Sequence, residues 1–454
     1  MVDKRAVPTA SWAIAQDMCL KGETGYLRHL FGGIIPPKNA LPMGDSQAKA
    51  GRVIRQSPSK GKRNMRVVGL DVCKDSVVAC ILDAARPIEP RQLYYDLDFP
   101  RFFTDAIGIK SLLALTPTVA VLEPTGVNYS KLWITKLAEA GVKVVLVGHK
   151  QLRSYRENLN LPDKDDSADA LALACYYLEH GQSDRRFVRT RDPVTSKIRD
   201  IVLRLYHLNR VQSPIINRIR QDLVWQFPEA RQITLDAVLF WGWLAGERKS
   251  IRYDNLYAAT AGLGLEVEVR NSARIICDLQ RRERVLELEM RHLMKDIRFH
   301  KYRKVFAQFG FGERVEALLL SQIYPLENYL DENGQPEIKI RKGRESGKPT
   351  KRHLSRRRFQ KALGVAPCRE ESGDKKSTKK AGSSLCRMAL WQWIFTRIEP
   401  QKKRLKNPMG KRLGEMLDIE KRHRPVKLAR SRVSSKAVDL LFRELVKELC
   451  LSNN

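Results

Sequence analysis

Four acidic residues stand where their side chains can act together on a phosphodiester. Asp71 ends the apolar run MRVVGLDV, and Glu123 ends the run TVAVLE. Asp166 and Asp169 lie three residues apart in DKDDSADALALA, a spacing that places both side chains on one face of a helix. Carboxylates are preferred Mg²⁺ ligands, and two ions about 3.5–4 Å apart clamp the attacking and leaving oxygens of a phosphoryl transfer. The four acids therefore predict a magnesium site suited to phosphodiester chemistry.

Each acid also has an ordinary structural interpretation. Asp71 is compatible with the simple end of a strand. Several acids and a serine suit a helix N-terminus, where they cap the backbone and favour the helix dipole: Asp163, Asp165, Asp166 and Ser167. Glu123 is harder to explain, because solubility alone does not place an acid at the end of an apolar strand. The order and placement of the four acids together favour the metal site.

The segment that carries the acids, residues 65–185, alternates between strand-like and helix-like patterns. MRVVGLDV and SVVACILD predict a hairpin that turns around residues 73–75, and a third strand is predicted within residues 92–97. TVAVLEP and VKVVLVG predict buried strands, whereas FFTDAIGIKSLLAL, SKLWITKLAEAG and SADALALACYYLEHG predict helices. We expect parallel strands covered on both faces, with the acids meeting at the ligand-binding edge of an α/β sheet.

Three motifs surround the four acids: GLDVCKD, LEPTGVNYSKLW and KDDSADALALA. The positions that carry the pattern are Gly69, Asp71 and Lys74, then Glu123, Thr125, Gly126 and Tyr129, then Lys164, Asp166, Asp169 and Ala170. This order resembles the DEDD motifs of the IS110-type transposases, which are related to the Piv DNA invertases. The resemblance is specific over residues 65–225 and looser to about residue 395. It implies an RNase H-like (RuvC-like) α/β domain in which Asp71, Glu123, Asp166 and Asp169 are catalytic and bind Mg²⁺.

A second block, FQKALGVAPCREESGDKKSTKKAGSSLCRMALWQWI, resembles the serine-containing segment of the same family. The matching residues are Gly364, Pro367, Ser372, Gly373, Gly382, Leu385 and Arg387. The resemblance implies that Ser372 is the catalytic nucleophile, which becomes covalently joined to a DNA end. A serine hydroxyl is a weak nucleophile at neutral pH and needs a base or a metal to activate it. The acidic site with Mg²⁺ can provide this if the two domains come together.

The surroundings of Ser372 leave alternatives open. A Ser-Gly pair by itself is typical of a turn in a basic loop, and Ser377, Ser383 and Ser384 compete for the role of nucleophile. Several basic residues nearby are suited to hold the phosphate and stabilise developing charge: Arg369, Lys375, Lys376, Lys379 and Lys380.

Between the two blocks, residues 190–300 show helical periodicity. Apolar residues spaced by three and four predict two coiled-coil seams, the first with Gln212 on it and with a kink at Pro214. The seams run Ile198, Ile201, Leu205, Leu208, Ile215 and Ile219, then Ile276, Leu279, Leu286, Met290, Leu293 and Ile297. Residues 231–272 form an insert between them. Two long helices joined in this way indicate an antiparallel arm that mediates dimerisation or, equally well, a plain helical core.

These patterns predict five segments. Residues 1–64 are a flexible N-terminal extension, 65–189 the DEDD domain, 190–300 the helical arm, 301–395 a smaller mixed serine-containing transposase domain, and 396–454 a basic tail. The tail ends in a predicted helix, SSKAVDLLFRELVKELC. The eight cysteines form no CxxC pair and no Cys/His cluster, which argues against a zinc finger or a disulfide framework and fits the reducing cytosol: Cys19, Cys73, Cys80, Cys175, Cys277, Cys368, Cys386 and Cys450.

The charge of the chain points to a polyanionic partner. The 83 Lys and Arg outnumber the 51 Asp and Glu, for a net charge of +32, and residues 339–361 carry eleven Lys or Arg and one acid. We expect nucleic acid rather than an anionic membrane. No apolar run approaches the roughly 20 residues of a bilayer span, and the N-terminal residues lack the long apolar stretch of a secretory signal. A cytoplasmic, nucleoid-associated protein is expected.

The resemblance implies a DNA transposase or recombinase of an insertion sequence. It further implies DNA as substrate, a structured guide RNA as a second partner, and a homo-oligomer, dimer or tetramer, whose composite sites pair the acids of one subunit with the serine of another. Two alternatives stay open: a RuvC-like nuclease that hydrolyses DNA junctions with water, and an inactive relative that only binds nucleic acid.

Overall fold

A computed structural model describes the chain from Met65 to Leu451 with short gaps. The described ranges are 65–83, 87–124, 128–161, 164–188, 190–233, 238–343, 347–372 and 375–451, without the side chains of residues 369–377. The expected N-terminal extension, residues 1–64, lies outside them. The chain divides into two compact units between Thr190 and Arg191.

The first unit is built on a five-stranded sheet. Its strands are β1 (Val67–Val72), β2 (Ser76–Leu82), β3 (Arg101–Phe103), β4 (Val119–Leu122) and β5 (Lys143–Leu146). They lie in the order β3-β2-β1-β4-β5. β2 runs antiparallel to both β1 and β3, whereas β4 runs parallel to β1 and β5. This order and these directions are those of an RNase H-like fold, so the expected fold class and the first hairpin are confirmed.

Five helices accompany the sheet: α1 (Pro90–Asp96), α2 (Ala106–Ala114), α3 (Tyr129–Glu139), α4 (His149–Asn158) and α5 (Asp166–His180). The third strand predicted within residues 92–97 is wrong, because that segment lies in α1 and the edge strand is β3. Pro90 begins the helix at a position where its missing N–H costs nothing, and Leu93 and Leu97, one turn apart, both pack against the core under α5.

The two faces of the sheet have separate cores. Val68 and Leu70 of β1 belong to the face that also buries Trp133 of α3. Val67 of β1 and Val121 of β4 belong to the opposite face, which α5 covers. Since side chains alternate along a strand, residues 69 and 71 of β1 also lie on the α5 face.

Helix α5 lies unusually close to β1, and Gly69 makes this possible. A Cβ atom on residue 69 would lie 2.0 Å from the carbonyl oxygen of Ala170 and 2.7 Å from the backbone nitrogen of Ala174. Helix α5 is buried on nearly all sides, which explains its run of small and apolar residues: Ala168, Ala170, Leu171, Ala172, Leu173, Ala174 and Cys175 are all fully buried. The contact therefore fixes the position of the helix relative to the strand.

The second unit is mainly helical. Its helices are α6 (Pro193–Gln226), α7 (Val238–Leu244), α8 (Ile251–Ala258), α9 (Val267–Leu293), α10 (His300–Phe309), α11 (Glu313–Ile323), α12 (Leu354–Ala362), α13 (Ser384–Trp393), α14 (Pro408–His423) and α15 (Val426–Val446). Two antiparallel hairpins interrupt them: β6 (Ile338–Lys342) with β7 (Pro349–His353), and β8 (Ala366–Ser372) with β9 (Lys375–Ala381). None of the described helices is long and apolar enough to cross a membrane.

The long helices α6 and α9 pack along each other as the expected arm. Helix α6 continues through Pro214, and Gln212 on the seam donates a hydrogen bond of 3.1 Å to Glu283 of α9. The insert forms a separate aromatic core at one end of the pair, around Phe227, Phe240, Trp241, Trp243 and Tyr253. Ile297 was expected on the second seam, but it is 83% exposed because α9 ends at Leu293.

Residues 396–454, expected as a basic tail, instead contribute helices to the core of the second unit. Leu413 and Leu417 of α14 and Leu441 of α15 are buried in the same cluster as Ile198 of α6 and Phe306 of α10. Apolar residues four apart form a narrow buried stripe on each of these helices. The lysines and arginines around the stripe concealed α14 in the sequence, whereas the predicted helix SSKAVDLLFRELVKELC corresponds to the second half of α15 and its continuation.

We predict that Gly69→Ala lowers the free energy of unfolding by on the order of 3 kcal/mol, because α5 has to move away from β1. Urea denaturation measures the loss. Gly141→Ala is the matched control, since a Cβ there meets nothing within 4 Å and the change costs only the strain of a backbone φ of +78°. Equal losses for the two variants would contradict the role assigned to the helix–strand contact.

Candidate metal centre and serine hairpin

Two of the acids lie at the carboxyl ends of adjacent parallel strands. Leu70 of β1 pairs with Leu122 of β4, so that Asp71 and Glu123 come next on the two strands at their carboxyl ends. Both continue the alternate positions that face α5, which include Val121 of β4 and Gly69 of β1. The register of the sheet therefore puts two of the expected site residues side by side, on the face that α5 covers.

The other two acids are in the first turn of α5. The side chain of Asp165 caps this helix by accepting a hydrogen bond of 2.7 Å from the backbone N–H of Ala168. Asp166 and Asp169 lie on the helical face that continues with Ala170, the residue in contact with Gly69. Because α5 is held against β1 at that point, its first turn is directed to the end of the strand where Asp71 lies.

Asp71, Cys73 and Asp166 form a compact group of potential metal ligands. One ligand atom from each lies within 4.8 Å of the others, and all three residues are half-buried. The thiol of Cys73 donates to Oδ2 of Asp166 over 3.5 Å. Burial and the nearby carboxylate of Asp166 raise the pKa of Cys73 to about 11, so the thiol is protonated at neutral pH. Sequence reasoning missed Cys73, although it lies two residues from Asp71 on the same side of the strand.

The carboxyl group of Asp71 lies in a crowded acidic environment. Burial and, to a smaller extent, the negative charges of Asp169 and Asp166 together raise its pKa to about 7, against the opposing effects of a backbone hydrogen bond and of Arg156. A divalent cation relieves this kind of repulsion, since it replaces the proton that the group otherwise retains. The set of oxygen donors fits Mg²⁺, which takes one or two carboxylates and keeps several waters.

Basic side chains face the remaining carboxylate oxygens. Arg101 of β3 pairs with Asp166 at 3.1 Å, and Arg156 of α4 pairs with Asp169 at 2.5 Å. Glu123 pairs with His149, the first residue of α4. Asp71 and Asp166 are thus brought within ligand distance of each other, whereas Glu123 and Asp169 lie outside that compact group and pair with His149 and Arg156.

The three basic residues were not identified in the sequence as parts of the site. His149 could have been found, because it follows β5, a parallel strand that ends at the same edge of the sheet as β1 and β4. Arg156 lies seven residues further along α4, on the face directed at α5. No pattern signals Arg101, since it lies in the three-residue strand that the sequence did not predict.

Ser372 lies at the end of a β-hairpin in the second unit. It is the last residue of β8 and pairs with Lys375, the first residue of β9, so the backbone places it at the tip. The base of the hairpin is closed by two glycines with left-handed backbones. A Cβ on Gly364 would lie 1.9 Å from the carbonyl oxygen of Ser383, and one on Gly382 would lie 1.6 Å from that of Lys361.

Hydrogen bonds at the same base assign structural roles to three residues of the serine block. Arg387 donates to the carbonyl oxygen of Gly364 at 2.9 Å. Lys380, expected to hold a phosphate, is instead half-buried and donates to the carbonyl oxygen of Val365 at 3.3 Å, and burial lowers its pKa. Ser383, a competing nucleophile, caps α13 by accepting from the N–H of Cys386 at 3.2 Å. The structure does not describe the side chains of Arg369, Lys375 and Lys376.

Two family models match the chain. One, for DEDD transposases of the IS110 type and described as "Transposase", matches residues 68–228. The other, described as "Transposase IS116/IS110/IS902 family", matches residues 345–408. The first range contains all four acids and the second contains Ser372. A comparison with curated proteins gave no match.

Among solved structures, the chain is similar to RuvC of Thermus thermophilus. One RuvC structure has 15% identity and a TM-score of 0.20, and the alignment covers 27% of this chain and 100% of RuvC. A T. thermophilus RuvC in complex with a Holliday junction substrate has 16% identity and the same TM-score of 0.20, with coverage of 27% and 99%. A TM-score of 0.20 does not establish a common fold. The RNase H-like fold of the first unit follows instead from the order and directions of its strands.

We predict that divalent metal binding depends on pH through Asp71. Because the pKa of this carboxyl group is raised to about 7, a metal ion has to displace a proton below pH 7 but not above it. The affinity for Mg²⁺ or Mn²⁺ should therefore fall by about tenfold per pH unit below 7 and stay level above 7, as measured by isothermal titration calorimetry.

Asp71→Asn should abolish this binding at every pH. Asp184→Asn, which removes an exposed carboxylate of the same unit, is the matched control and should bind as the wild type does. An affinity that does not change between pH 6 and pH 8 would contradict the role given to Asp71.

Proposed function

Because the chain belongs to the IS110 family of transposases, we propose that it cleaves and exchanges DNA strands in a Mg²⁺-dependent reaction with Ser372 as the nucleophile and a structured RNA as the guide. The observation that carries this proposal is the meeting of Asp71 and Asp166 at one end of the sheet, where burial and the neighbouring acids raise the pKa of Asp71. Carboxylates held this close repel each other and lower the stability of the protein, whereas a bound cation is attracted to all of them.

Asp71 and Asp166 would hold the metal, and Glu123 and Asp169 would serve as further ligands once they leave His149 and Arg156. Bound Mg²⁺ supplies stabilisation of the negative charge that develops on the attacking and leaving oxygens of a phosphodiester. Arg101 and Arg156 each present a guanidinium group at the same edge. Such groups suit the non-bridging oxygens of a phosphate, which they bind with paired hydrogen bonds.

The proposed cleavage step exchanges one ester for another. The hydroxyl oxygen of Ser372 attacks the phosphorus and forms a phosphoserine ester with one DNA end, while the bond from phosphorus to the leaving sugar oxygen breaks. The serine proton passes to a base, and the sugar oxygen takes up a proton as it leaves. The ester conserves the energy of the broken bond, so that a second DNA hydroxyl can reverse the step and complete the exchange.

The position of Ser372 at a hairpin tip supports this role. A hairpin whose base is closed by Gly364, Gly382 and Arg387 holds the serine away from the packed core of its unit. We propose that the acids of one subunit act with the serine of another in a homo-oligomer, a dimer or tetramer that the arm of α6 and α9 assembles. A cytoplasmic, nucleoid-associated location follows from the same activity.

We predict that Ser372→Ala abolishes the covalent protein–DNA adduct and lowers strand exchange by at least about a thousandfold, because no other group supplies the bridging oxygen. The adduct is measured with end-labelled DNA on a denaturing gel. Ser377→Ala, a hydroxyl removed from the facing strand of the same hairpin, is the matched control and should keep both activities.

The outcomes separate the alternatives. An adduct that persists in Ser372→Ala would contradict the nucleophile assignment. Cleavage without any adduct, in the wild type and in Ser372→Ala alike, would indicate a nuclease that uses water. If the wild type neither cleaves nor exchanges strands, a Mg²⁺ titration shows no site, and Asp71→Asn and Glu123→Gln leave nucleic-acid binding unchanged, the chain is a nucleic-acid binder whose acids have no chemical role.

We predict that a single structured RNA species co-purifies with the protein from cells that carry the complete insertion sequence, because a net charge of +32 binds RNA tightly at low salt. Sequencing of the bound RNA should return one dominant transcript with segments complementary to the DNA substrates. A random sample of cellular RNA, with no such transcript enriched over the control protein lysozyme, would contradict guidance by RNA.

A further inference from the structure

The hairpin of β6 and β7 is an exposed two-stranded ribbon. All five residues of β6 are exposed, and β7 is exposed or half-exposed throughout. Its pairs run from Ile338 opposite His353 to Lys342 opposite Pro349. We name its two strands, residues 338–342 and 349–353, the basic ribbon. The second family model begins at residue 345, so the first strand of the basic ribbon lies outside it.

The charge on the basic ribbon is entirely positive. Its two strands contain five Lys or Arg residues and no acid: Lys339, Arg341, Lys342, Lys351 and Arg352. Lys339 has a carboxylate nearby, since Glu337 lies 3.6 Å from it. Among the described residues, no ion pair within 4.0 Å involves Arg341, Lys351 or Arg352. Most of the positive charge therefore faces solvent without compensation.

The register of the strands brings like charges together. Lys339 is directly opposite Arg352, and Arg341 is the next residue on the same face. Like charges placed directly opposite each other destabilise an antiparallel pair, and an isolated two-stranded hairpin is already marginal in water. The repulsion between these like charges lowers the stability of the ribbon in the free protein. A polyanion that neutralises the face removes the repulsion.

The other face of the basic ribbon combines charge with exposed aliphatic surface. Ile340 is 67% exposed and Ile338 is 49% exposed, and they alternate with the positions that carry Lys339 and Arg341. Nothing in the core requires these two isoleucines, because neither is buried. Aliphatic groups beside basic ones are the combination that contacts thymine methyl groups and phosphates at once.

The base of the ribbon is firmly anchored. The backbone N–H of Glu337 donates to the hydroxyl of Ser355 at 2.8 Å, and Arg358 donates to the carboxylate of Glu337 at 2.7 Å. Ser355 and Phe359 of α12 are buried, so this helix belongs to the core of the unit. The ribbon is therefore a rigidly based projection from a packed helix.

We propose that the basic ribbon enters the major groove of duplex DNA, with Lys339, Arg341 and Arg352 toward the phosphates and base edges. The major groove of B-form DNA is about 12 Å wide and admits a two-stranded ribbon, whereas the major groove of A-form RNA is too deep and narrow for side chains to read. The width thus favours DNA over an RNA duplex. The assignment is independent of the metal site and of Ser372.

The test compares two variants of the full chain that have the same net charge. The ribbon variant carries Lys339→Gln, Arg341→Gln and Arg352→Gln. The control variant carries Lys249→Gln, Arg252→Gln and Lys295→Gln, three exposed basic positions of the same unit outside the ribbon. Fluorescence anisotropy measures binding to a 30-base-pair DNA duplex of mixed sequence and to the RNA duplex of the same sequence. Dimethyl sulfate then reports methylation of guanine N7, which lies in the major groove.

We expect the ribbon variant to bind the DNA duplex roughly 10- to 100-fold more weakly. The number of counterions released on binding, measured from the salt dependence of the affinity, should fall by about three. It should lose the protection of guanine N7 that the wild type and the control variant give. Its melting temperature should be unchanged or higher, since like charges have been removed, and this excludes misfolding. Unchanged guanine protection in the ribbon variant, or a loss of RNA binding with DNA binding intact, would overturn the proposal.

Discussion

The contact between α5 and β1 is the constraint on which the site depends. Gly69 leaves room for the backbone of Ala170 to approach the strand, and the first turn of α5 follows from that approach. A side chain at residue 69 would push the helix outward and carry Asp166 and Asp169 away from Asp71. The spacing of Gly69 and Asp71 in GLDVCKD therefore has a geometric cause. The two residues lie on the same face of β1, where Gly69 lets α5 approach and Asp71 supplies a carboxylate beside the first turn of that helix.

The second constraint is electrostatic. Burial and neighbouring carboxylates hold the pKa of Asp71 near 7, and basic partners from β3 and α4 face the acids around it. Such a site costs stability when it contains no cation, because charges of one sign are held together in a half-buried place. Proteins keep unfavourable arrangements of this kind where chemistry requires them. The serine hairpin shows the opposite character, since glycines and backbone hydrogen bonds at its base make it a well-supported element.

Sequence periodicity predicted the elements that are long or continuously apolar. The hairpin of β1 and β2, the buried strands β4 and β5 and the two arm helices are where the pattern placed them. The edge strand β3 has only three residues, too few for a pattern, and its neighbour α1 was mistaken for it. The sequence also predicted a helix over residues 434–450, which covers the second half of α15, whereas α14 was concealed because a buried stripe among many lysines and arginines looks like a solvated tail.

The four acids could be predicted because each ends a strand or begins a helix. Among their partners, His149 carries a sequence signal, since it follows a parallel strand that ends at the same edge, whereas Cys73, Arg101 and Arg156 meet the acids only through the tertiary fold. The most direct measurement of the central claim is a crystal structure of the protein with Mn²⁺, located by its anomalous scattering. We expect an ion about 2 Å from carboxylate oxygens of both Asp71 and Asp166. Manganese bound elsewhere, with these two carboxylates turned away from a common point, would contradict a metal-dependent reaction at this site.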